Sequence, residues 1–126
     1  MKTFRSPDTV HPPLARYSHQ VEISGERLLL MAGQVGTRQD GSLAETVVDQ
    51  LDAALENVLA NLAAAEMTAS DLVQLPLSFG EEMDEPTRGE IVARRLGEHR
   101  PATTLVCVPR LAAPPLVGEV DAWAGA

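Results

Sequence analysis

A chain of 126 residues, 44% hydrophobic and 22% charged, is long enough to bury one core and too apolar for a disordered segment. One domain spanning residues 1–126 is expected. A formal net charge of −8 argues against a nucleic-acid partner, because affinity for phosphate backbones comes from clustered Lys and Arg, and the basic residues here are dispersed. Cys107 is the only cysteine, which excludes an internal disulfide and a thiolate-rich metal site. The N-terminus lacks a signal-peptide layout and no apolar run reaches bilayer length, so a cytoplasmic protein without a membrane partner is expected.

Following Pro7, Pro12 and Pro13, residues 18–23 alternate polar and apolar, the period of a half-buried strand. Ser24-Gly25-Glu26 marks a turn into a short apolar run, residues 28–31 with Ala32. That run reads as a strand buried on both faces and paired as a hairpin with its predecessor, ending at Gly33 and Gly36. From about residue 44 to 65, Val47, Leu51, Leu55, Val58 and Leu62 recur at helical spacing, and Ser42 with Glu45 resembles a capping box. Residues 72–79 read as a third strand in which Pro76 removes a ladder donor and predicts a bulge or an edge. Asp84, Glu85 and Pro86 start a second helix over roughly residues 87–98, and Pro101 prevents its continuation. Residues 103–108 and 116–123 are two further strands, separated by a loop holding Pro109, Pro114 and Pro115.

This order predicts an α+β fold: a mixed sheet with two long helices on one face, since each helix carries a single apolar stripe. Aromatic residues amount to 3%, so the core is modest and the other sheet face needs a cover. A homotrimer whose sheets pack around a central axis would supply it.

The ordered set Tyr17-Ser18, Ala32-Gly33-Gln34-Val35, Gln50, Asn57-Val58, Leu62, Asp71-Leu72-Val73, Pro101-Ala102, Thr104, Arg110-Leu111 and Glu119-Val120-Asp121-Ala122 resembles the RidA/YjgF (reactive intermediate deaminase, endoribonuclease L-PSP-like) family along nearly the whole chain. The resemblance implies a chorismate-mutase-like α+β fold, a homotrimer, and small-molecule sites between subunits where enamines and imines such as 2-aminoacrylate are hydrolysed without a cofactor. It implies a site drawn from the Tyr17 loop, the Ala32-Gly33 turn, the strand with Thr103, Thr104, Leu105 and Cys107, and the Asp121 strand. Deaminating members carry an arginine after the Pro-Ala pair that clamps the substrate carboxylate, whereas this chain has Thr103, which offers neither charge nor fork. The serine before the Gly-Gln pair is Ala32 here, the cysteine two residues after the arginine is Leu105, and Asp121 stands where a glutamate positions water, one methylene shorter.

Each candidate has a plainer reading. Tyr17 suits either the mouth of the site or a core or interface position with its hydroxyl tied to backbone. Cys107 shares a strand face with Thr103 and Leu105 but reads best as a small buried hydrophobe. Arg88 lies at a position that in the family approaches the ligand, against the alternative of a solvated surface arginine; whether Arg88 or Arg16 replaces the missing cation stays open. Glu119 and Asp121 point the same way along their strand, either as an acid beside a base or as an ordinary polar face. His11, His19 and His99 read as surface residues with no metal-ligand spacing, and Glu81-Glu82 with Asp84-Glu85 as a solvated helix cap.

Three functions compete. The first is hydrolysis of an enamine, imine or related reactive metabolite other than 2-aminoacrylate, with Asp121 as the catalytic residue. The second is a non-catalytic ligand-binding or regulatory module. The third is RNA cleavage, which the acidic composition disfavours most.

Overall fold

The structure, a computed structural model, describes residues 1–9, 11–13, 16, 18–25 and 27–126. In chain order its elements are β1 (Lys2–Arg5), β2 (Gln20–Ile23), β3 (Leu28–Val35), α1 (Val47–Ala64), a single 3-10 turn (Ala69–Asp71), β4 (Leu72–Gln74), β5 (Leu77–Phe79), α2 (Glu85–Leu96), β6 (Leu105–Cys107) and β7 (Gly118–Gly125). A five-stranded sheet runs β3, β7, β5, β6, with β4 also on β7, and a separate ribbon joins β1 to β2. The β5–β6 pair is parallel and the other pairs are antiparallel. The fold is therefore the α+β arrangement expected, a mixed sheet with two helices.

The hairpin expectation is corrected. β2 pairs with β1, Lys2 opposite Ile23, while β3 pairs with β7 from the far end of the chain, Leu28 opposite Gly125 and Met31 opposite Ala122. An apolar run signals burial without naming its partner. Here the small residues Ala122 and Ala124 sit fully buried between β3 and the helix layer, where thin side chains let the layers close up. Nor is β3 buried on both faces, for Leu28 and Leu30 are exposed and alternate with half-buried Leu29 and Met31.

The apolar stripe of α1 forms as predicted, with Leu51, Leu55, Val58 and Leu62 fully buried. Its cap lies further along than expected. Thr46, with extended backbone at φ −97° and ψ 158°, accepts the Asp49 N–H. Ser42 is instead engaged in a tight turn, where both its N–H and its hydroxyl donate to Asp40 Oδ1. In α2, Asp84 caps the Thr87 N–H at 2.8 Å, Pro86 occupies the first turn, and the helix stops at Gly97. The third predicted strand breaks in two at Leu75-Pro76, and its register against β7 shifts between Leu72 and Gln74. Lacking an N–H, Pro76 uses its carbonyl instead, accepting from the Asp121 N–H at 3.0 Å.

Gln50 lies fully buried among these apolar residues with every polar atom engaged. Its Nε2 donates to the carbonyls of Ala44 and Pro115, and its Oε1 accepts the Val117 N–H at 2.8 Å. Gly36 permits this closeness, since a Cβ there would meet the Gln50 Cα at 2.7 Å.

The side of the sheet away from the helices carries Leu28 and Leu30 on β3, Trp123 opposite Leu30 on β7, and Val106 opposite Ser78 on β6. These four side chains are 42–55% exposed. This is the uncovered apolar face anticipated from the single stripe on each helix.

Candidate functional site

A cavity of about 160 Å³ opens between one face of α2 and the β5–β6 edge of the sheet. Glu85, Arg88, Gly89, Val92 and Leu96 line it, at spacings of three and four residues that place them on one helix face. Opposite stand Leu75, Leu77 and Leu105, the last two paired across β5 and β6. Thr103 also lines the cavity, and its hydroxyl donates to the Leu75 carbonyl exposed by the break at Pro76. The wall is thus largely aliphatic, with two arginines and one glutamate set into it.

The arginines are held differently. Arg88 donates from Nη1 to the Met83 carbonyl at 3.3 Å, which anchors its guanidinium beside the helix start. Arg16 reaches the same cavity from the N-terminal segment, and its Nη1 is buried without a hydrogen-bond partner. A buried donor left unmet costs about 1–3 kcal/mol. Below Arg88, the Thr87 N–H on its carboxylate holds Asp84 below the usual carboxylate range.

A second cluster occupies the open sheet face. Between Met31 and Gln34 the β3 register slips against β7, so Ala32 and Gly33 together oppose Asp121, and Gln34 Nε2 fixes the bulge by donating to the Ala32 carbonyl at 2.8 Å. The Glu119 and Asp121 carboxylates fold over Gly33. A Cβ there would overlap the Glu119 carboxylate and stand 3.0 Å from Asp121 Oδ1. The bulge therefore brings two acids together above a residue that has no side chain.

Of the residues predicted for the site, Arg88, Thr103 and Leu105 share the cavity, whereas Ala32, Gly33 and Asp121 meet on the other side of the sheet. Thr104 contributes its carbonyl to the Leu77 N–H and leaves its side chain exposed. Cys107 is not the buried hydrophobe expected; it is exposed, because it ends β6, the three-residue outer strand of the sheet. The expectation for Tyr17 lies outside the described residues. His99 is likewise no surface residue: its Nε2 lies 2.7 Å from the Leu72 carbonyl and its ring packs edge-on against Phe4. Among the described residues no three of His, Cys, Asp and Glu come together to hold a metal ion, and no helix is long and apolar enough to cross a membrane.

Glu85, Val92 and Leu96 were missed from sequence. Their spacing from Arg88 was the available signal, since a helix face that presents a cation among aliphatic residues is lining something. Arg16 carried no such signal, because its approach to the cavity depends on the path of the N-terminal segment.

Comparison with known proteins agrees with this geometry. Residues 9–126 match the family model described as endoribonuclease L-PSP. The RutC family protein YjgH of Escherichia coli is 34% identical over 65 residues, 52% of this chain and 50% of that protein, so the match spans half the length of that relative. Among solved structures, YyfB of Yersinia pestis, a Rid-family protein of unknown function, superposes with a TM-score of 0.86 at 28% identity, covering 98% of this chain and 97% of its own. TdcF of E. coli with bound serine gives a TM-score of 0.71 at 28% identity, covering 97% and 94%. The chain belongs to the endoribonuclease L-PSP family, the RidA/YjgF proteins.

Proposed function

We propose that the protein is a homotrimeric hydrolase of a reactive enamine or imine other than 2-aminoacrylate, acting in a cleft between subunits without a cofactor. The observation that carries this reading is the cavity that unites Arg88, Thr103 and Leu105, three of the residues named from sequence. Its aliphatic wall offers nothing to the three-carbon 2-aminoacrylate and suits a bulkier side chain. The exposed apolar face with Leu28, Leu30, Val106 and Trp123 supports assembly by sheet-to-sheet packing. Assembly would bring the Asp121 carboxylate of one subunit towards the cavity edge of another. There Asp121 orients a water that adds to the C=N carbon; ammonia then leaves and the carbonyl compound remains.

The protein's own charge distribution keeps RNA cleavage the least favoured activity. One observation favours a non-catalytic binding module instead: within a single chain, the cavity and the Glu119/Asp121 pair stand on opposite faces of the sheet. The test is ammonia release from freshly generated 2-aminoacrylate and from the 2-imino acid derived from leucine. The bulkier imine is expected to turn over much faster, with roughly a hundredfold or greater loss in Asp121→Asn. Turnover of 2-aminoacrylate at least as fast overturns the substrate assignment. No turnover of any imine, with ligand binding intact in both proteins, makes the binding-module reading the right one.

A further inference from the structure

The cavity leaves a guanidinium donor unmet. Two guanidiniums and the Glu85 carboxylate line it, the Asp84 carboxylate acts on Arg88 from the helix start, and Arg16 Nη1 is buried with no acceptor. The hydroxyl proton of Thr103 is committed to the Leu75 carbonyl, and Arg88 has one backbone acceptor. Guanidinium donors that line a largely aliphatic cavity are satisfied best by a planar anion, because a carboxylate accepts two parallel N–H bonds and cancels the charge. The rest of the wall, from Leu75 and Leu77 to Val92, Leu96 and Leu105, rewards apolar contact and offers no further polar anchor.

We propose that Arg16 and Arg88 form a two-arginine clamp for the carboxylate of a small aliphatic acid, with the apolar body seated against Leu75, Val92 and Leu96. A space of about 160 Å³ is close to the roughly 150 Å³ that accommodates benzene, which limits the body to about six heavy atoms. Inorganic anions and very short acids satisfy the clamp and leave the apolar wall unfilled. Neutral analogues fill the wall and leave the cations unmet. The inference rests on reading this cavity as the ligand end of the proposed site, and it assigns the ligand class and the residues that select it.

The experiment is calorimetric titration of the full-length protein with 4-methylpentanoate, acetate, inorganic phosphate and 4-methylpentanamide. Saturable binding of 4-methylpentanoate is expected, with acetate, phosphate and the amide each weaker by roughly tenfold or more. Arg16→Met and Arg88→Met should each weaken 4-methylpentanoate by roughly tenfold or more, and Arg88→Lys should recover part of that loss. The weak binding of the amide should be the same in all four proteins. Equal binding of the amide and the acid by the wild type overturns the clamp, and that comparison needs no variant to fold. No binding of 4-methylpentanoate, or unchanged affinity in both methionine variants, also overturns it. The two readings therefore fail separately: imine turnover that 4-methylpentanoate does not inhibit removes the clamp and keeps the hydrolase, whereas selective binding without turnover keeps the clamp and removes the hydrolase.

Discussion

Arg95 grips Asp52 with both prongs of its guanidinium, Nε to Oδ1 and Nη2 to Oδ2 at 2.8 Å each, and so ties α2 to α1. Arg94 adds a contact to Oδ1 at 3.0 Å. The Arg95 hydrogen bonds, reinforced by Arg94, pull the Asp52 carboxyl from 3.8 down to about 2. Because the folded value is depressed, the stabilisation is complete above the unfolded value and is lost as pH falls through the window from about 4 to about 2. Asp52→Asn should cost about 1–2 kcal/mol at neutral pH, after allowance for solvent screening, and very little near pH 2. Urea midpoints of wild type and variant at the two pH values check this; a gap that does not narrow in acid contradicts it.

Gln50 gives a larger effect. Gln50→Leu keeps the volume but strands the Ala44 and Pro115 carbonyls and the Val117 N–H in the core. A loss of about 3–5 kcal/mol is expected, visible as a large drop in Tm by calorimetry.

Gly33→Ala separates stability from chemistry. The new methyl group overlaps the far ends of two flexible acids, which can swing away, so stability should change by less than about 1 kcal/mol. The displaced Glu119 and Asp121 carboxylates should nevertheless lower imine turnover at least tenfold. Unaltered turnover in a folded variant would show that the placement of these acids is unimportant.

Leu30→Glu puts a charge in the middle of the exposed apolar face, opposite Trp123. Light scattering should register loss of the proposed trimer while circular dichroism keeps the helical signal, because Leu30 lies outside the core of its own subunit.

The sequence revealed most where a residue type has one physical meaning. Pro76 announced an irregularity in its strand, read as a bulge or an edge, because it has no N–H to give, and Asp84-Glu85-Pro86 announced a helix start because acid and proline both suit a first turn. It misled where a signal is local and the answer is not. Ser42 and Glu45 have capping-box spacing, yet the chain turns helical only after Thr46, since Asp40 claims the Ser42 hydroxyl. The run at residues 28–31 was correctly a strand, but its partner lies about ninety residues away. For the site, Arg88 was legible through the family resemblance, as a position that approaches the ligand. The unmet charge of Arg16 and the separation of Asp121 from the cavity are matters of tertiary placement, on which spacing is silent.

The bond from Thr103 to the Leu75 carbonyl constrains the route by which such a pocket changes over generations. Restoring arginine at position 103 would break that bond and crowd a third guanidinium into about 160 Å³ beside Arg16 and Arg88. Like charges repel more strongly in a largely aliphatic cavity than in bulk water. Thr103→Arg alone is therefore expected to lower stability, and Arg88→Met added to it to recover part of the loss, as thermal melts of the two variants would register. On the clamp proposed above, an arginine at position 103 and the Arg16–Arg88 pair are alternatives that exclude one another, so neither can be added to the other without a compensating change.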